Sequence, residues 1–225
     1  MSRFASLLIC VCLLSGARVA AAPAEPSGEA APPLTATFET VTKGHGARQR
    51  WTLARDAGRV AYTFGEATGR RFDLWLRRAA ELRLVRVFPG EKTAVEYTEG
   101  QLRALGTARS WQQLGSLLPA HPAKLGLKQV GTGTFQQRKT QRFEGELSGD
   151  RVVVQWLQAE QLPAQLTIKQ RTITLQKLVL GPPTLAPEAE TKRYRRIDAA
   201  DLGDLEHDPF VKRYGSLLNA AHQHP

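Results

Sequence analysis

The stretch from Arg151 to Leu180 constrains the fold more than any other part of the sequence, because it reads as three consecutive β-strands. Val152, Val154 and Trp156 alternate with the residues between them, which is the pattern of a strand with one buried face. Pro163 interrupts the next part, and a turn is expected there because proline donates no ladder hydrogen bond. The alternation resumes after Pro163 and again after a second short turn. Three antiparallel strands joined by short turns are therefore predicted.

The rest of the chain shows the same pattern on either side of a helical segment. Residues 34–98 read as six further strands, separated by turn sequences such as Asp56-Ala57-Gly58. In residues 99–118 the leucines fall at three- and four-residue steps, which predicts one or two short helices. Two weaker strands follow between Val130 and Leu147. The predicted fold is mainly β (α+β): an antiparallel incomplete β-barrel of about eleven strands with a short helical insert and a C-terminal amphipathic helix.

The C-terminal helix is predicted from its start signal. Asp208 is a favourable N-cap residue, and Pro209 suits the first helical position, where its missing N–H has no cost. The apolar residues that follow lie on one face of a helix: Phe210, Tyr214, Leu217, Leu218 and Ala221. We expect this face to pack on the sheet.

Composition divides the chain into four segments. Residues 1–22 combine a short basic start, an apolar core and small residues at an A-x-A-type site, which predicts a cleaved secretory signal peptide. The alternative, a retained membrane anchor, would need a longer apolar core. Residues 23–33 are rich in proline and alanine and read as a flexible linker. Residues 34–187 form the predicted curved sheet domain, and residues 188–225 a charged segment with the C-terminal helix.

The two cysteines, Cys10 and Cys12, both lie in the predicted signal peptide. The mature protein would therefore have no disulfide, no thiolate nucleophile and no cysteine metal site. A periplasmic location is predicted, with a domain held together by its core alone.

Basic residues outnumber acidic ones, with 31 Lys and Arg against 21 Asp and Glu and a formal charge of +10. Such a charge favours anionic partners, among them membrane headgroups, lipopolysaccharide and nucleic acid. Export makes nucleic acid the poorest of these candidates, so an anionic membrane surface is the predicted charged partner. The alternative interpretation is an ordinary solvated surface.

No catalytic constellation emerges from the sequence, and the protein is predicted not to be an enzyme and to need no cofactor or metal. The glycines of Gly65–Gly69 and Gly131–Gly133 lack the spacing of a phosphate-binding loop. The acidic run from Asp198 to Asp208 supplies oxygen ligands of the kind that Ca²⁺ prefers, but its spacing does not follow a calcium-binding loop. A solvated loop that supplies helix caps is the favoured interpretation.

The sequence resembles the LolA-like periplasmic lipoprotein carriers over about residues 34–180. Two stretches carry the resemblance: the opening strand TATFETVT at Thr35–Thr42, and the unit VVVQWL…LP…LTI…ITLQKLVL between Val152 and Leu180. The resemblance implies an incomplete barrel that holds acyl chains beneath a helical lid. It departs from the family before the first strand, where residues 23–33 cannot form the usual amphipathic helix.

Two functions follow from this sequence. The first is a periplasmic binding protein that shelters a lipid, an acyl chain or a lipoprotein on the concave face of the half-barrel. The candidate lining residues are apolar and lie on predicted strands: Trp51, Tyr62, Phe64, Phe72, Leu74, Val154 and Trp156. The alternative is a periplasmic protein-interaction or sensor module, in which the sheet is filled by its own helices and the surface binds a protein partner.

Overall fold

A computed structural model describes residues 31–44, 46, 48–65, 70–79, 81–183 and 191–219. The predicted signal peptide lies outside these ranges, as does most of the predicted linker. Twelve strands lie within them: β1 Leu34–Thr42, β2 Arg48–Arg55, β3 Arg59–Phe64, β4 Arg71–Arg78, β5 Glu81–Phe88, β6 Thr93–Tyr97, β7 Lys128–Phe135, β8 Arg138–Leu147, β9 Asp150–Leu157, β10 Leu162–Ile168, β11 Arg171–Leu180 and β12 Arg195–Asp198. The α-helices are α1 Glu99–Ala104, α2 Trp111–Ser116 and α3 Pro209–Asn219. Short 3-10 turns lie at Pro89–Glu91, Pro122–Leu125 and Ala199–Leu202.

All twelve strands belong to one sheet in the order β12-β6-β5-β4-β3-β2-β1-β11-β10-β9-β8-β7. The first strand is therefore central, with β2 on one side and β11 on the other. A meander runs outward from β2 to β6, and a second meander runs inward from β7 to β11. The sheet of the described residues is open, with β12 and β7 at its two edges, so the predicted mainly β, incomplete-barrel fold is confirmed.

The strand β12 is absent from the predicted set of about eleven, and it breaks the expected antiparallel pattern. It pairs with β6 in parallel, with Ile197 opposite Val95. Only Ile197 of its four residues is buried. The segment therefore shows no alternation of apolar and polar residues, and its pairing with a distant strand leaves no local signal.

The expected turn at Pro163 is displaced. The chain turns at residues 158–161, and Pro163 is the second residue of β10. The register with β9 shifts between Pro163 and Gln165. A bulge of this kind tolerates a proline, since the ladder is already interrupted there.

The helices begin where the capping signals place them. Asp208 Oδ1 accepts hydrogen bonds from the N–H groups of Phe210 (2.8 Å) and Val211 (3.3 Å), which confirms the predicted N-cap of α3. The predicted helix end at Ala221 lies outside the described residues. The helical insert is also confirmed: Thr98 and Gln101 form a capping box at α1. None of the helices in the described ranges has the length and apolar character needed to span a bilayer.

The sheet buries residues on both faces. We call the face that packs on α1, α2 and α3 the inner face; its core includes Leu102 of α1, Leu114 of α2 and Leu218 of α3. The opposite, outer face carries a second, smaller cluster: Ala54, Ala61, Phe72, Leu74, Val85, Val87 and Ala94, with Leu76 and Tyr194 packed against it. The predicted candidate residues are therefore divided between two faces.

Candidate functional site

Five of the seven predicted lining residues come together on the inner face. Cross-strand partners share a face of the sheet, and Trp51 lies opposite Phe64 while Leu53 lies opposite Tyr62. The five are Trp51, Tyr62, Phe64, Val154 and Trp156, all members of the main core cluster.

The placement of Phe72 and Leu74 on that same face is wrong. Across β3 and β4, Tyr62 lies opposite Asp73 and Phe64 lies opposite Arg71. The inner positions of β4 are therefore the odd-numbered ones, and Phe72 and Leu74 belong to the outer cluster. Because β4 is buried on both faces, its own alternation did not reveal which parity points inward.

The inner face is occupied by the chain's own side chains. Its five candidate residues are between 0% and 6% exposed. The Trp51 ring stacks on Phe38 at 4.6 Å between centroids, and its Nε1 donates to Thr40 Oγ1 at 2.9 Å. The Tyr62 hydroxyl donates to the carbonyl of Leu114 in α2. These contacts make the candidate residues part of the folded core.

Helix α3 covers the part of the inner face formed by β5 and β6. Phe210 meets Phe88 edge-on at 5.1 Å between ring centroids, and Tyr214 lies 4.7 Å from the same ring. Leu218, near the other end of the helix, is 1% exposed. The helix thus packs along its length, as its apolar stripe predicts.

A buried polar cluster lies beneath the C-terminal end of α3, and sequence reasoning missed it. Asp73 and Arg86 pair at 2.9 Å, and both side chains are completely buried. Arg86 Nη1 donates to Leu217 O at 2.6 Å, while the Tyr97 hydroxyl donates to Leu218 O at 3.1 Å. Burial raises the pKa of Tyr97 to about 12; the nearby Arg86 charge opposes this shift and the Asp73 charge adds to it, so the hydroxyl remains a neutral donor at physiological pH. The cluster supplies donors to carbonyls at the helix end.

A second buried cation joins distant parts of the chain. Arg55 is 2% exposed, and its guanidinium donates to the carbonyls of Pro32 (3.1 Å), Gly115 and Glu160. These lie before β1, in α2 and in the turn between β9 and β10. Burial lowers the pKa of Arg55 to about 10, and the neighbouring Tyr62 and Glu160 oppose that shift. The group is therefore charged at neutral pH and acts as a three-way clamp.

The acidic run between β12 and α3 supplies caps. Asp198 accepts from Ala200 N at 2.8 Å and from Gln101 Nε2 at 2.7 Å, and Asp208 caps α3. In the described part of the chain, no group of three or more His, Cys, Asp or Glu residues is placed to hold a metal ion. The cap-supplying interpretation is confirmed for these two residues.

A surface pocket of about 510 Å³ lies beside the N-terminal end of α3. Charged residues dominate its lining: Glu91, Lys92, Thr93, Arg193, Arg195, Asp208, Pro209 and Phe210. Arg195 already pairs with Asp208 at 2.7 Å. Such a lining is unlike the mainly apolar walls of an acyl-chain site.

Strand β7 forms the bare edge of the sheet. Within the described residues it pairs with β8 and with no other strand. Six of its eight residues are exposed, and the other two are half-buried. Val130, with 55% of its surface exposed, is one of three large apolar residues that are exposed among those described, together with Val179 and Leu180.

Comparison with protein-family models and with curated proteins found no match. Among solved structures, the chain is similar to PNGF-II in a C2 crystal form, with a TM-score of 0.47 and 9% sequence identity. The similarity covers 79% of this chain and 33% of the PNGF-II chain, so this chain spans about a third of the length of PNGF-II. It is similar to an uncharacterized conserved protein from Thermus thermophilus, with a TM-score of 0.47 and 11% identity over 75% of this chain and 91% of that one. For MucB in complex with MucA(peri), the TM-score is 0.36 and the identity 14%, over 72% of this chain and 55% of that one. No comparison shows a family, so the LolA-like resemblance stays a prediction.

Proposed function

We propose that this protein is a periplasmic interaction module that binds another protein through its surface and performs no catalysis. One observation carries the proposal: the inner-face residues predicted to line an acyl-chain site are 0–6% exposed beneath the chain's own helices. A site for a small apolar ligand needs roughly 300–1,000 Å³ of mostly apolar space. The inner face instead uses its apolar residues as core.

The contacts of α3 support this assignment. A lid that opens for cargo would have to break the aromatic contacts to Phe88 and withdraw the Leu217 and Leu218 carbonyls from Arg86 and Tyr97. Opening would also bring the Asp73–Arg86 pair closer to water beside any acyl chain. A charged pair is a poor lining for such a ligand, since charges are costly to bury against apolar groups without compensation.

The periplasmic part of the proposal depends on the predicted signal peptide, and the basic surface fits partners of opposite charge. Carriage of acyl chains is the competing function. It requires the helices to leave the inner face, α2 from Tyr62 and α3 from Phe88, and the two functions therefore differ in whether apolar ligands enter the folded protein.

A binding experiment separates them. We expect a fluorescent fatty-acid probe to show no saturable binding to the purified mature protein, and native mass spectrometry to give the mass of the polypeptide without lipid. Crosslinking in the periplasm is expected to join the protein to another polypeptide. The variant Leu218→Ala, which loosens α3, is a control for probe access to the inner face. Saturable probe binding by the unaltered protein, displaced by unlabelled fatty acid, would overturn the proposal in favour of a carrier.

A further inference from the structure

We infer that strand β7 is the docking edge of this protein, and that its partner is an extended acidic segment of another protein, which adds to the sheet as a thirteenth strand. This inference rests on the proposed function and specifies its site. Peptides that add to a sheet edge gain affinity from main-chain hydrogen bonds and specificity from side chains on the neighbouring strands.

The two edges of the sheet differ in the length of the strand that forms them. At the β6 edge, the chain adds its own strand β12, so the β6 backbone is paired and the edge that remains is only four residues long. At the opposite edge, no strand or helix of the described residues pairs with the outer side of β7. An exposed edge normally invites aggregation and is kept short or covered. An eight-residue strand left bare is therefore a surface available for pairing.

The regular part of β7 is long enough to hold a partner. Its register with β8 shifts between Gln129 and Gly131, so Val130 bulges out of the ladder. Residues 131–135 then pair regularly with β8, from Gly131 opposite Arg142 to Phe135 opposite Arg138. In an antiparallel ladder, alternate residues direct their N–H and C=O groups away from the partner strand. The stretch thus presents unpaired donors and acceptors along about 17 Å, at roughly 3.3 Å per residue.

The charge beside this edge is positive. Across from residues 131–135, three of the five β8 positions are basic: Arg138, Lys139 and Arg142. Arg138 is paired with Glu160 and Arg142 with Glu144, whereas Lys139 is exposed and has no carboxylate partner among the described residues.

Glycine in β7 leaves one of these basic side chains, that of Arg142, a path to the next strand. A Cβ built at Gly131 would meet nothing within 4 Å, so the surface opposite Arg142 is open. Lys139 lies opposite the short side chain of Thr134, over which its own longer side chain can extend toward an added strand. Opposite charges across neighbouring strands stabilise pairing, and like charges destabilise it.

The same charges argue against a second copy of this chain as the occupant. Pairing β7 with another β7 would place a second set of the same cations, the exposed Lys128 and Lys139 among them, around the new pair of strands. Lysine on an edge strand and a bulge are both devices that prevent self-association of edges. An acidic segment meets the same edge without that repulsion.

The test uses the mature protein and a short synthetic peptide of alternating glutamate and valine. We expect this peptide to bind by fluorescence anisotropy and to slow amide hydrogen exchange within residues 131–135. Two control peptides separate the contributions: one with lysine in place of glutamate tests charge, and one with a central proline keeps the charge but loses main-chain hydrogen bonds. Both are expected to bind much more weakly.

Paired variants locate the site. Lys139→Glu is expected to weaken binding of the glutamate peptide by about tenfold at low salt, since it converts an attraction into a repulsion. Lys212→Glu makes the same charge change at an exposed position on α3, which packs on β5, and should leave binding nearly unchanged. Circular dichroism confirms that both variants are folded.

Three results would overturn the inference: equal binding of the proline peptide, protection from exchange outside β7, or a concentration-dependent dimer that itself protects residues 131–135. The last result would identify a second copy as the occupant. Crosslinking to a protein at a surface other than β7, with no fatty-acid binding, would overturn the docking edge but keep the proposed function. Saturable fatty-acid binding would instead contradict the proposed function.

Discussion

Asp73 and Arg86 lie opposite each other on neighbouring strands and form an ion pair with both side chains completely buried, at 2.9 Å between Nε and Oδ1. The same guanidinium donates to the Leu217 carbonyl of α3 at 2.6 Å. This buried ion pair joins β4 to β5 and also fixes the position of the C-terminal end of α3 against the sheet. The loss of folding stability that follows when the pair is disrupted can be measured.

Removal of one member of this pair should strongly destabilise the protein. We expect Asp73→Leu to lower the free energy of unfolding by about 3–5 kcal/mol, because it leaves Arg86 charged and without its carboxylate. The double variant Asp73→Leu/Arg86→Met should be more stable than the single variant, since the completely buried charge of Arg86 is removed together with its partner. Arg71, 3.7 Å from Asp73, loses its carboxylate in both variants and so does not affect the comparison. Urea denaturation measures both. A double variant as unstable as the sum of the two singles would show that the pair is not coupled.

Arg55 should behave as a clamp whose geometry lysine cannot reproduce. In Arg55→Met, each buried carbonyl that loses its donor is expected to cost about 1–3 kcal/mol. Arg55→Lys should recover only part of this loss, because an ammonium lacks the planar fork that reaches several acceptors. Thermal unfolding gives the order of stability, wild type above Lys above Met. Equal stability of the Lys variant and the wild type would contradict the clamp.

Trp156 should matter for folding rather than for a ligand. It is 1% exposed, and its ring packs edge-on against His121 at 5.7 Å between centroids. We expect Trp156→Ala to cost about 3–5 kcal/mol in urea denaturation, which is the usual range for a large aromatic residue in a core. Val179→Ala, at an apolar position that is 49% exposed, is the control and should change stability by less than about 0.5 kcal/mol.

The cap of α3 should depend on pH in a predictable direction. The hydrogen bond from Arg195 lowers the pKa of Asp208 below its ordinary value of 3.8, with further help from the N–H groups of Phe210 and Val211. A folded-state pKa below the unfolded value gives stability that is present above pH 3.8 and is lost as the pH falls through the folded-state pKa.

Asp208→Ala should therefore lower the melting temperature at neutral pH, and the difference from the wild type should shrink toward low pH. Asp208→Asn should recover part of the loss, since asparagine also caps helices. Asp201→Ala, an exposed change in the same acidic run, is the matched control. If the difference in melting temperature between Asp208→Ala and the wild type is the same at neutral and at low pH, the charge of the Asp208 carboxylate does not account for the stability of the cap.

The parts of the fold that sequence reasoning predicted are those with a local signal. The alternation of Val152, Val154 and Trp156 predicted a strand with one buried face, and these three residues are indeed buried on the inner face. The Asp208-Pro209 pair predicted the start of α3 to the residue. In each case, side-chain period or capping chemistry acts within a few residues of sequence.

What sequence reasoning missed depends on contacts between distant residues. Phe72 and Leu74 alternate correctly along β4, but only the register with β3 decides which face they occupy. Nothing in the sequence marks Asp73, Arg86 and Arg55 as buried, because charged residues are rarely buried and the partners of these three lie on other strands or loops. The filling of the inner face likewise follows from how three helices return to it, which no single segment encodes.

The central position of β1 also determines the order in which this protein can assemble. A chain that is synthesised from its N-terminus can form the β1–β6 meander early, because each of these strands pairs with the strand that precedes it in the sequence. The other side of β1 must wait for β11, and β6 must wait for β12. Such non-local pairings slow folding, since the entropy of closing a long loop is lost before the contacts form. Until the last quarter of the chain is available, two unpaired strand edges are exposed, and this is the interval in which the protein would most need a chaperone.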